Sequence, residues 1–171
     1  MFKTQKKSNG KYYAAKILKT SVDSTERKDF KRELNFYKIL DNPAVVKFIG
    51  YNLVSFERSD LPVINTKYMT NGCLSQVFRS LRKRKTTKGW NNTKMIINIL
   101  GISIGMKYLH DTGIIHFNLK PSNVLLDENY YPKITDFGIA KYLEIQINCM
   151  HILIDTPGYK APESYNDDFC T

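Results

Sequence analysis

His116-Phe117-Asn118-Leu119-Lys120-Pro121-Ser122-Asn123 is the stretch on which the reading of this 171-residue chain turns. Pro121 with Ser122 marks a turn, because proline presets its own φ and cannot donate to a ladder. Short apolar runs lie on either side, Ile114 to His116 before and Val124 to Leu126 after. Lys133 to Thr135 follows beyond a second turn at Asp127 to Asn129. All three runs read as short strands. Upstream, Thr93 to His110 predicts a long helix. Its large apolar residues (Ile96, Ile97, Ile99, Leu100, Ile102, Ile104, Met106, Leu109) lie on most faces, which predicts a buried helix. Before it come a polar connection, Thr86 to Asn92, and a short helix from Leu74 to about Lys83. Asn71-Gly72 is a turn, and Val45 to Tyr51 and Leu61 to Met69 are strand candidates.

The chain opens with an expected hairpin, Phe2 to Gln5 and Tyr12 to Ile17, joined through Ser8-Asn9-Gly10. A helix is expected from Ser24 to Leu40, with Asp23 and Glu26 as a capping pair. Phe30, Leu34, Tyr37 and Leu40 form its apolar stripe, and Glu33 falls inside that stripe. Periodicity alone favours a Glu33 that snorkels to the stripe's edge. Strands and one helix first, then helices enclosing small hairpins, give an α+β chain of two lobes meeting near residues 67 to 72. Clefts between lobes are preferred small-ligand sites.

Lys and Arg number 26 against 16 acids, a net charge of +10, which favours phosphorylated or polyanionic ligands without choosing among them. Cys73, Cys149 and Cys170 are scattered and odd in number, so neither a disulfide framework nor a zinc site is expected. That pattern fits a reduced intracellular protein. No apolar run approaches the ~18 residues of a membrane span, and the first residues lack the apolar core of a signal peptide. Asn91-Asn92-Thr93 matches a glycosylation sequon and is read as coincidence. The basic run from Arg79 to Lys88 reads first as a solvated helix end, with a nuclear address or polyanion patch as the alternative. The expected location is therefore the cytoplasm, with the nucleus second, and nucleic acid is not the expected partner.

The opening octapeptide, Asp136-Phe137-Gly138 and Ala161-Pro162-Glu163 together resemble the catalytic loop, metal-binding triplet and activation-segment end of protein kinases. Tyr13-Ala14-Ala15-Lys16 resembles the strand with the phosphate-binding lysine, and Gly105 to His110 is kinase-like as well. The motifs stand in family order over nearly the whole chain. The resemblance implies ATP and Mg²⁺ as cofactors and a protein hydroxyl as acceptor. It makes Lys16 the contact to the α and β phosphates, held by Glu33 as an ion pair, which reverses the snorkelling reading. It gives Asn123 and Asp136 as the metal ligands. It makes Thr66 the gatekeeper and Lys67, Tyr68 and Met69 the hinge that binds adenine, with Ala14 and Leu125 sandwiching the ring. Core packing is an equal reading for Leu125 taken alone. Lys120, two residues after the catalytic position, follows the serine/threonine-kinase pattern and would touch the transferring phosphate. Tyr68-Met69-Thr70-Asn71-Gly72 resembles the hinge of tyrosine-kinase-like serine/threonine kinases.

The sequence departs from the family in three ways. Asn118 stands where the proton-accepting aspartate is expected, and an amide has no useful basicity. General-base assistance is worth about 10²–10⁴-fold. Phe117 replaces the arginine that receives an activation-loop phosphate, and Ile139 to Asp155 holds no Ser or Thr. No activation by Ser/Thr phosphorylation is expected in that stretch. Its apolar residues, Ile145 to Ile154, are read as packing rather than docking. Finally, the chain is short against a kinase domain of roughly 250 residues. By the resemblance, the first strand with its glycine-rich loop and the C-terminal helices are expected to be missing, with marginal stability or aggregation unless a partner or a second chain completes the fold.

The expectation is thus an incomplete two-lobe kinase-like α+β fold: 1–66 a partial N-lobe, 67–72 the hinge, 73–171 a partial C-lobe. The leading functional reading is a pseudokinase or interaction module that retains ATP and Mg²⁺ residues. An active Ser/Thr kinase and an inert fragment are the alternatives.

Overall fold

The computed structural model describes residues 1–5, 10–18, 24–52, 61–85, 87–143 and 158–159. The hairpin forms as expected. β1 (Phe2–Gln5) pairs antiparallel with β2 (Tyr12–Ile17), Phe2 opposite Ala15 and Gln5 opposite Tyr12. Gly10 leaves the turn at φ +66, a left-handed angle that glycine adopts without a Cβ clash. β3 (Phe48–Asn52) and β4 (Val63–Lys67) complete a four-stranded sheet in the order β1-β2-β4-β3. The β2–β4 register sets Ala14 opposite Thr66 and Lys16 opposite Ile64.

α1 (Ser24–Ile39) buries Phe30, Phe36 and Tyr37, with Leu40 just beyond its end. These side chains join Val45, Ile64, Leu109, Ile134 and Phe137 in one apolar cluster, so a single core ties the sheet to the rest of the chain. The expected Asp23–Glu26 pair and the Ser8-Asn9 part of the turn fall outside the described residues and side chains. β3 starts at Phe48 rather than Val45, because residues 44–46 pair elsewhere. Val46 N–H donates to the Ile134 carbonyl at 3.0 Å and Ile134 N–H to the Ala44 carbonyl at 2.7 Å.

α2 (Leu74–Arg82) begins where the Gln76 side chain accepts the Cys73 N–H at 3.0 Å. Arg79, Arg82 and Lys83 are exposed at its far end, the solvated arrangement expected of that basic run. α3 (Asn92–Asp111) starts one residue earlier than expected, since the Asn91 side chain accepts the Lys94 N–H at 2.9 Å. Two small hairpins follow: β5 (Ile114–Ile115) with β8 (Lys141–Tyr142), and β6 (Val124–Leu126) with β7 (Pro132–Ile134). A single 3-10 turn, Pro121–Asn123, leads into β6.

The burial expected all round α3 is overturned. Asn98, Gly105 and Leu109 are buried, whereas Met95, Ile96, Ile99, Leu100 and Ile104 are all 45% or more exposed. The face that packs carries two glycines beside Ile102, Met106 and Leu109. A Cβ on Gly101 would stand 2.5 Å from Pro132 Cγ, and one on Gly105 2.7 Å from Ile134 Cδ1. Only a bare backbone lets the helix lie this close to β7. Among the described residues, no helix is long and apolar enough to cross a membrane.

Candidate functional site

β2 alternates inward and outward, so Ala14 and Lys16 share one face and look into the same space. That space is a cleft of about 560 Å³ between the sheet and the β6–β7 hairpin, a size suited to a small ligand. One end is apolar, formed by Ala14, Met69 and Leu125 with Met1 and Phe2 at the rim. The other end is ionic, formed by Lys16, Glu33, Asn123 and Asp136. Such a division matches a flat apolar group joined to an anionic one.

The ionic end is densely bonded. Lys16 Nζ donates to Glu33 Oε2 at 2.5 Å and to Asp136 Oδ1 at 3.1 Å. Glu33 is only 3% exposed, so Lys16 supplies the cation that burial demands. Burial pulls the Lys16 pKa down, but the charges of Glu33 and Asp136 more than reverse this and hold the ammonium above its ordinary range. Burial pushes the Glu33 carboxyl up, against the pull of Lys16. Asp136 Oδ2 accepts two amide N–H groups, Asn118 Nδ2 at 2.9 Å and Asn123 Nδ2 at 3.2 Å. Asn123 Nδ2 also donates to the Asn118 carbonyl at 2.8 Å.

A Mg²⁺ ion beside a nucleotide is held by one or two side-chain oxygens, with phosphate and water oxygens completing its shell. Asp136 presents a carboxylate whose Oδ2 already takes two N–H donors, and Asn123 turns its amino group, not its carbonyl, toward that carboxylate. As arranged, Asp136 Oδ2 and the Asn123 amide do not fit an ion, which would have to displace these N–H groups to reach them.

Two residues of this site are held in left-handed backbone, Phe117 at φ +57 and Asp136 at φ +71. Such angles cost about 1–3 kcal/mol each and persist where surrounding contacts fix them. Here His116 does so, buried at 1% exposure. Its Nε2–H donates to the Thr135 carbonyl at 3.1 Å, and its Nδ1 accepts the Asn118 N–H at 3.1 Å. A sequence model of the protein kinase domain matches residues 1–168. The chain belongs to the protein kinase domain family. A leaf rust 10 disease-resistance locus receptor-like protein kinase-like 2.4 of Arabidopsis thaliana is 33% identical over 164 residues, 93% of this chain and 25% of that protein. A PR5-like receptor kinase of the same plant is 33% identical over 175 residues, 99% of this chain and 25% of that protein. A leucine-rich repeat receptor-like protein kinase whose name casts doubt on its own activity is 34% identical over 169 residues, 95% of this chain and 16% of its length. The chain thus spans about a quarter or less of these curated relatives.

Within this kinase domain, eight of the expected site residues meet in the cleft: Ala14, Lys16, Glu33, Tyr68, Met69, Asn123, Leu125 and Asp136. Asn118 reaches it through Asp136. Thr66 is buried opposite Ala14 and is not part of the lining, and Lys67 reaches Glu128 at 3.5 Å. Lys120 is half-buried at the start of the 3-10 turn. Residues 144–157 and 160–171, including Ala161-Pro162-Glu163, lie outside the described residues.

Three supports of the site stand outside the motifs. Tyr37 belongs to the apolar stripe, yet its hydroxyl bonds the Thr135 hydroxyl at 2.6 Å and accepts the Asp136 N–H at 3.5 Å. It lies one helical turn after Glu33, a spacing that could have flagged it. Arg32 Nη1 donates to the Gly138 carbonyl at 2.8 Å and to Asp29 at 3.1 Å, tying α1 to the segment after Asp136. No local signal marks Arg32, because its partner is 106 residues away. Met1 and Phe2 line the rim, which only the hairpin's folding over the cleft reveals.

Proposed function

We propose that this kinase domain is an ATP-binding module whose phosphoryl transfer to protein Ser or Thr is impaired. The observation that carries this is the Asn118 side chain, an amide that donates to Asp136 where a proton acceptor is needed. It offers no basicity, and loss of a general base costs about 10²–10⁴-fold in rate. Nucleotide binding is supported by the Lys16–Glu33–Asp136 cluster beside the apolar end of the cleft. In this reading residues 1–66 and 73–171 are the two lobes and 67–72 the hinge. Ala14 and Leu125 sandwich the adenine ring, the backbone of Lys67, Tyr68 and Met69 binds its edge, and Thr66 is the gatekeeper. Lys16 meets the α and β phosphates, and Lys120 meets the phosphate that would transfer. Asn123 and Asp136 are the two side chains from which a divalent ion would draw oxygens, and the amide bonds on Asp136 stand in its way. The module would act on a partner protein, in the cytoplasm where ATP is supplied. The relative of doubtful activity, 34% identical, is compatible with such a role.

The assembled Lys16–Glu33 pair favours a second reading, an active Ser/Thr kinase, because that pair must be in place for phosphoryl transfer. Two measurements separate the readings. ATP should raise the melting temperature of the native chain, and Lys16→Ala should abolish the shift. Transfer of radiolabelled phosphate to a protein acceptor should be near background for the native chain and rise about 10²–10⁴-fold in Asn118→Asp. Strong transfer by the native chain establishes the enzyme instead, and absence of any ATP shift establishes an inert chain.

A further inference from the structure

We propose that the Asn118 amide occupies the place a divalent ion would take at Asp136, so that this chain binds its nucleotide without a metal. The inference rests on the ATP-binding reading and concerns how that site is neutralised. A carboxylate oxygen has two in-plane lone pairs. At Asp136 both lone pairs of Oδ2 are met by amide hydrogens, from Asn118 at 2.9 Å and Asn123 at 3.2 Å, while Oδ1 accepts the Lys16 ammonium at 3.1 Å. Three N–H donors therefore share one carboxylate, and a cation held by both of its oxygens would have to displace the amides on Oδ2. Asn123 cannot help by offering its carbonyl without giving up its bonds to the Asn118 carbonyl and Asp136.

Aspartate at 118 would reverse the electrostatics. A second carboxylate at this distance from Asp136 repels it, and the pair is relieved only by a proton or a cation between them. The residue at 118 is thus a selector: an amide bridges Asp136 to the loop by itself, whereas a carboxylate would require an ion to do so. Phosphate charge is not left unopposed in the metal-free site. Besides Lys16, Lys3 lines the cleft, with its ammonium held 3.9 Å from the Tyr12 ring centre and 4.8 Å from that of Tyr68.

The test is calorimetric titration of the 171-residue chain with ATP, in excess EDTA and in excess MgCl₂. The native dissociation constants should agree within about threefold. Asn118→Asp should bind at least about tenfold more tightly with Mg²⁺ than with EDTA. Asn118→Ala removes the donor without adding charge and serves if the aspartate variant does not fold; it should also gain a preference for Mg²⁺. Titration with Mn²⁺ alone, read by electron paramagnetic resonance, should show the ion taken up by the variants and not by the native chain. Native binding that tightens about tenfold or more with Mg²⁺ overturns the proposal while leaving the ATP reading intact. Variants with no gain in metal dependence overturn the assignment to Asn118. Absence of native binding in both buffers overturns the ATP reading, and this inference with it.

Discussion

A carboxylate on a buried helix face is costly unless a cation meets it, and at Glu33 that cation is Lys16 from the neighbouring strand. Lys16→Met should therefore do more than weaken nucleotide binding. It leaves Glu33 unpaired at 3% exposure. Because Lys16 itself is more than one-third exposed, we expect a loss of about 1–2 kcal/mol, below the full cost of breaking a buried pair. Urea denaturation at neutral pH measures it. The loss should shrink as the pH falls toward the carboxylate range, since an unpaired buried Glu33 has a raised pKa and is stable only when protonated. His116 acts in the opposite sense. Burial holds its pKa below the ordinary 6.5, so its folded-state stability is full above that value and is lost as the pH falls below it. The native melting temperature should drop between pH 7 and 5, and His116→Gln should flatten that part of the profile. An unchanged slope in the variant would show that other groups govern acid sensitivity. At this scale the motif residues were legible in the chain, but the bonds they make were not. Asn118 could be read as a missing base, and only the folded loop shows its amide clasping Asp136.

Among the elements, α3 was the one most mistaken from sequence. Its length and N-terminal cap were plain, while its exposure was not, because an apolar residue on every face leaves the pattern without a preferred direction. The contact with β7 was settled by two glycines, a signal of closeness rather than of hydrophobicity. Gly105→Ala tests this. Alanine in a helix gains about 1 kcal/mol over glycine, yet its Cβ would stand 2.9 Å from Ala44 Cβ and 2.7 Å from Ile134 Cδ1. We expect a net destabilisation of about 1–2 kcal/mol, because an overfilled contact outweighs propensity. Equal or greater stability in denaturation would show that α3 can shift away from β7. β8 was missed for a different reason. Lys141–Tyr142 is too short to carry a strand pattern, and its partner Ile114–Ile115 lies far back in the chain. Asn98 is a third instance. Buried in α3, it donates to the Tyr130 carbonyl at 2.8 Å and so pins the turn before β7, a role no spacing rule announces.

For the whole molecule, the described surface carries a continuous apolar face on α3, from Met95 through Ile96, Ile99 and Leu100 to Ile104. Contiguous apolar area of this kind drives association. The chain alone should bind an anilinonaphthalene dye and sediment as species larger than a monomer with rising concentration. Replacing Ile96, Ile99, Leu100 and Ile104 together by Gln should suppress both signals. Persistence of both in that variant would place the sticky surface elsewhere.

What the sequence determined by itself was the family and the order of the elements. Motifs such as Asp136-Phe137-Gly138 and His116 to Asn123 are local strings, and strands and helices follow local periodicity. Which groups meet follows from the packed fold alone: Lys16 with Glu33 and Asp136, Asn118 with Asp136, Arg32 with Gly138, and the glycines of α3 with β7. These partners are separated by 17 to 120 residues where the bonds are named. Pairing at that distance is set by how the core packs, and burial rather than residue type then decides which charges and amides must satisfy one another.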